Sequence, residues 1–304
     1  MASIPISGSF PSGYGDMKII ASDGVTFYFP SFLLMHMSPV LRDSLNDIRP
    51  PGHSSVPGDP TVSLNTAYPS DVIEAILRLC DPKKEEPSFD SMPSQSAFLE
   101  AGHRWKIERV LGWWEKKANE TLEKYRIGYR YNSFSPEMAL ILASRFQASP
   151  VFARTCLRVL ILEPYTQLLT ELSKQEYPLY PPLFIHLLQL RQERTRFICE
   201  KITRRHNDMR SCSNCSWFGL GLGHAVRDLI LQVMETPSWR TLSAWSFEGC
   251  RCERKNDQLI GAEWEEDILR QENLLPPLPD DWQDRPWMES AQMSLTREHS
   301  VQAE

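Results

Sequence analysis

Between Met17 and Phe29 the apolar side chains fall on alternate residues, and at Pro30 that period stops. Met17, Ile19 and Ala21 form one set; after Asp23-Gly24, Val25, Phe27 and Phe29 form another. A period of two marks a strand with one buried face, and an Asp-Gly pair supplies the positive φ of a tight hairpin turn. From Phe32 to Met37 the apolar residues crowd as on a short helix. Ser38-Pro39 then reads as a second helix start, because the hydroxyl caps an orphan amide and proline has no N–H to lose. Leu41, Leu45 and Ile48 follow on one helical face. A hairpin with one apolar face must be covered by another layer, and helices follow it directly, so the fold class expected is α+β.

The later segments extend this pattern. Thr61–Leu64 is a candidate third strand beyond the loop Arg49–Pro60, and Ser70 is expected to cap a helix. That helix buries Val72, Ile73, Ile76, Leu77 and Cys80 and stops at Asp81-Pro82. Further helices carry Phe98, Leu99 and Trp105, then Ile107, Val110, Leu111, Trp114, Ala118 and Leu122. Ser135-Pro136 and Ser149-Pro150 repeat the cap logic and predict two helices, with Ala139, Leu140, Ala143 and Phe146 facing Phe152, Ala153, Cys156, Leu157 and Leu160. Helices are also expected after Glu163-Pro164 and Pro181-Pro182, around Val226–Val233, around Trp239–Trp245, and at Trp264 and Ile268. The organisation expected is a loose lead-in at 1–15, a strand-and-helix domain at 16–125, an all-helical domain at 126–272 and a disordered, proline-rich tail at 273–304.

The stretch DMKIIASDGVTFYFPSFLLMHMSPVLRDSL, with Asp16, Ser22, Asp23, Gly24, Val25, Phe27, Leu34, Ser38, Pro39, Arg42 and Asp43 in place, resembles the opening of a BTB/POZ domain of the divergent form common in fungal proteins. TVSL, SDVIEAILRLCDP and FLEAGHRWKIERVLGWW keep the family's order. SFSPEMALILASRFQASPVFARTCLRVL resembles the helix pair that follows the domain in such proteins. The resemblance implies self-association as a homodimer or docking of protein partners. Through that contact it implies adaptor work for a cullin-type ubiquitin ligase, or alternatively transcription or chromatin regulation. Pro30 stands where many members carry His, and Leu41 where many carry Phe. No clear hydrophobic-x-Glu element follows the Ser-Pro helix, so cullin recruitment rests on the family alone. Phe32, Leu41 and Trp114 lie on apolar helices whose faces could close a dimer or fill the core.

Four of the seven cysteines form two close pairs, Cys212 with Cys215 and Cys250 with Cys252. Such spacings can bring four thiolates to one tetrahedral zinc, and four sulfur ligands leave no open position for catalysis. Free thiols or one labile disulfide are the other readings. Fungal BTB proteins similar to this chain often carry a paired-cysteine region near the carboxyl end. Gly219–Gly223 reads as a flexible connector, since no strand precedes it and no Gly-Lys-Ser/Thr follows. Arg191–Arg210 holds seven Lys or Arg against three acids and reads as a solvated helix face.

No G-x-S-x-G elbow or H-E-x-x-H helix occurs, so an enzyme is the disfavoured alternative. The formal charge of −6 argues against nucleic acid held through net charge. No apolar run approaches the roughly 20 residues that span a bilayer, and no leader is evident, so a cytoplasmic or nuclear protein without membrane contact is expected.

Overall fold

The structure, a computed structural model, describes residues 5–48, 62–89, 94–126, 134–210, 219–244 and 263–283. The described chain divides into two compact units. One comprises the described residues up to Ser135 with Arg145–Ala148, and the other Pro136–Ser144 with the described residues from Ser149 on.

The first unit is α+β. Its three-stranded sheet has the order β2-β1-β3, with β1 at Met17–Ile20, β2 at Thr26–Phe29 and β3 at Val62–Asn65. β1 runs antiparallel to β2, pairing Met17 with Phe29, and parallel to β3, pairing Met17 with Val62. Gly24, at φ 86°, makes the hairpin turn, where a side chain would be strained. The alternation predicts most of the buried face, since Met17, Ile19, Phe27 and Phe29 are fully buried, but Val25 is only half-buried and Thr26 is buried beside it, where residues 5–7 bond to its backbone.

Five helices follow: α1 Ser31–Met37, α2 Pro39–Ile48, α3 Ser70–Cys80, α4 Gln95–Arg104 and α5 Glu108–Arg126. Ser38 caps α2, accepting the Leu41 amide at 3.0 Å while donating to the Trp105 carbonyl. Ser70 departs from its expected role. It is the first residue of α3, and its hydroxyl donates to Asp23 at 2.6 Å, tying the hairpin turn to the helix. That bond holds the Asp23 carboxyl below its usual pKa. α3 packs on β2, α1, α4 and α5, so its apolar face, with Ile73, Ile76 and Leu77 fully buried, is central to this core.

The lead-in is not loose over its described part. Residues 5–10 run along β2: the Thr26 amide donates to Pro5, the Ser7 amide to Thr26 and the Tyr28 amide to Phe10. Phe10 is fully buried, 5.6 Å from the Phe29 ring and 6.3 Å from Phe27. Burial of one such aromatic is worth about 1.5–3 kcal/mol, which together with the ladder bonds offsets part of the cost of ordering the segment, about 1–2 kcal/mol per residue. At Gly15 a Cβ would lie 2.0 Å from the Phe29 backbone, so only glycine fits there.

The second unit is helical in its described residues: α6 Pro136–Arg145, α7 Pro150–Leu160, α8 Tyr165–Ser173, α9 Pro181–Arg210, α10 Gly219–Glu235, α11 Trp239–Ser243 and α12 Glu263–Asn273. Of α6, Arg145 falls in the first unit, as does Phe146, whose ring packs on His103. Ser149 caps α7 as expected, accepting the Phe152 amide. Ile198, Ile202, Val226, Leu229, Val233, Leu242, Trp264 and Ile268 form one buried cluster from α9 to α12. Gly219–Gly223 is the start of α10 and not a connector. The expected tail also begins as packed chain. Trp282 is buried with its carbonyl accepting from Ser144, and the Pro277 carbonyl meets His186 Nε2 at 2.7 Å. No helix among the described residues is long and apolar enough to cross a membrane.

Candidate interaction surface

Phe32 stands on the first turn of α1 and is 67% exposed, the largest exposure among the large apolar side chains of the described residues. Its mounting is rigid. Pro30 gives α1 no side-chain cap, and the cap comes from Asp16, fifteen residues earlier: its carboxylate accepts the Ser31 amide at 2.6 Å and the Ser31 hydroxyl at 2.7 Å. A carboxylate at a helix N-terminus also complements the helix dipole. Ser31 and Leu34 are buried on the inner face. Exposed His36 lies one turn beyond Phe32 on the outer face.

The other two residues expected at a contact are core residues. Leu41 is 4% exposed beneath α2, and Trp114 is fully buried, its indole donating to Gln95 at 2.8 Å. The period that puts Leu41 and Trp114 on apolar helix faces does not say what covers those faces. Here the unit's own chain covers them, so neither can reach a partner without unfolding, and the interaction set contracts to Phe32.

Cys212, Cys215, Cys250 and Cys252 all lie outside the described residues. Cys80 and Cys156 are buried, and burial pushes the Cys80 thiol up to about 12, which makes it a poor nucleophile.

The basic helix holds residues whose roles local sequence could not signal. Arg191 is 4% exposed, and its guanidinium donates to the carbonyls of Ile161 at 3.0 Å, Glu163 at 2.5 Å and Glu235. It also stacks 5.5 Å from the Tyr165 ring. Arg194 donates to the Pro237 carbonyl and pairs with Glu272 at 2.9 Å, with both side chains nearly buried. Lys201 pairs with Asp267 at 2.7 Å. These three cations cross-link α9 to its neighbours and are not a solvated face; Arg204, with 82% of its side chain exposed, does fit that reading.

Two of the cavities among the described residues add to the surface. One, of about 290 Å³ in the first unit, is lined by His103, Lys106, Ile107, Val110, Phe146 and Gln147 among others. Burial and then the charge of Lys106 hold the His103 imidazole below its usual pKa. The other, of about 340 Å³, lies in the helical unit along α9. No known protein family, curated protein or solved structure matches the chain.

Proposed function

We propose that the chain is a protein-interaction module that self-associates or recruits protein partners, with Phe32 as the anchor of its contact face. The observation that carries this reading is the 67% exposed aromatic on a helix fixed by the Asp16 cap. Large, rigid aromatics lose little side-chain entropy on binding and dominate many interfaces. Support also comes from the α+β character of the first unit and from the likeness of its opening stretch to BTB/POZ domains. On that likeness the partner is a second copy of the chain, and a cullin is a further candidate. Nuclear transcription or chromatin regulation is the alternative. One structural zinc at Cys212, Cys215, Cys250 and Cys252 is part of the same proposal, because four thiolates suit its softness and tetrahedral geometry.

Co-purification of two differently tagged full-length copies tests the reading. Recovery of the second copy through the tag of the first, lost on Phe32→Asp and kept on Val151→Asp, is the expected result. Val151 is a fitting control because it is also a large apolar residue, 56% exposed, on a different helix. Equal recovery with all three proteins would refute the assignment. Cullin and ubiquitin machinery in the eluate would favour the adaptor reading, and chromatin proteins in its place would favour regulation.

A further inference from the structure

We infer that the cavity of about 340 Å³ along α9 is a binding site for an uncharged, apolar small molecule. Its volume lies at the lower end of the range for small-molecule sites, about 300–1,000 Å³. Leu190 and Phe197 of α9 form one wall, Ile161 and Leu162 after α7 a second, and Leu274 to Pro277 a third. This last wall is an ordered strap: Pro276 is buried, and the Pro277 carbonyl is fastened to His186 at 2.7 Å. That bond fixes the strap to α9 at its Pro277 end.

The charges on the lining decide the ligand's class. Arg158 and Arg194 face Glu193 and Glu272, so the formal charges sum to zero. Arg194 and Glu272 are moreover paired at 2.9 Å, and Glu272 accepts the Trp239 amide as well, so their polar atoms serve the fold. A charged ligand would give up water for no net attraction, whereas an apolar one would cover Leu190, Phe197 and the rim leucines Leu274 and Leu275, which are 56% and 39% exposed. The second cavity, beside His103, Arg104 and Lys106, has no such neutral lining.

The test is fluorescence titration of the full chain with N-phenyl-1-naphthylamine, a neutral apolar probe. One saturable site per chain is expected. Leu190→Trp, which fills the cavity, and Leu274→Arg, which puts a charge on its exposed rim, should each weaken binding by about tenfold or more. Leu231→Arg, on an exposed apolar residue of α10 outside the cavity, should leave binding unchanged. Absence of a saturable site, or equal loss with Leu231→Arg and Leu274→Arg, would overturn the inference. So would full binding by both cavity variants.

Discussion

Replacing Arg191 by Met is expected to unfold the helical unit far more readily than any exposed charge change. The guanidinium serves three backbone carbonyls, from Ile161 and Glu163 after α7 and from Glu235 at the end of α10, at a site only 4% exposed. Hydrogen bonds to a charged group contribute about 1.5–3 kcal/mol each, and carbonyls left unpaired in the interior cost about 1–3 kcal/mol each. Against this, methionine removes the desolvation cost of a buried cation, which burial already disfavours here. The balance is a loss of about 3–5 kcal/mol, the usual result of breaking a buried charge network from one side. For a unit of this size that corresponds to a drop in Tm on the order of 10 °C. Thermal and urea unfolding followed by circular dichroism would measure it, with Arg204→Met as control, expected within about 0.5 kcal/mol of the parent. If Arg191→Met matched that control, the clasp would contribute nothing, and the claim that α9 is cross-linked through buried cations would fail.

Other residues give further outcomes. The Tyr14 phenol, hydrogen-bonded to Asp81, is pushed up to about 12, above its unfolded value near 10. Its contribution to stability is therefore complete below pH 10 and lost as pH rises through 12, and Tyr14→Phe should remove that loss. Comparative urea midpoints from pH 8 to the alkaline limit check the sign. Lys106 sits at φ 50° where α4 ends, with the Ile107 amide bonded to Gly102 and the Lys106 amide to His103. That is the position where glycine is usual, so Lys106→Gly should raise stability by up to about 1 kcal/mol in thermal melts, and a loss would contradict the strain. The purified full chain should carry about one zinc, lost when Cys212 and Cys215 are both changed to serine. Metal analysis finding none under reducing conditions would remove the site.

What could be read in the sequence is what neighbouring residues decide among themselves. Most of the Met17–Phe29 alternation, the Ser38-Pro39 and Ser149-Pro150 caps and the apolar face of α3 are set by spacing, and the structure keeps them, with Thr26 buried in place of Val25. Ser70 looked like the same kind of cap, but its hydroxyl bonds to Asp23, forty-seven residues away, and nothing local announces that partner. Phe10 and Trp282 sit in Gly-, Ser- or Pro-rich stretches with no period, so composition hid two buried aromatics. Arg191 is the extreme case. Its role needs three carbonyls from two distant turns, which a count of charges along one helix cannot contain. On the candidate surface, spacing could place Phe32, Leu41 and Trp114 on apolar helix faces but could not say which of those faces the chain itself would cover.

The central claim, self-association through the Phe32 face, is tested most directly by light scattering of the full chain across a concentration series. The parent should approach the mass of two copies, and Phe32→Asp should shift the dissociation midpoint upward by about tenfold or more while leaving the far-UV circular dichroism of the folded chain unchanged. Equal masses for the two proteins at every concentration would contradict the account.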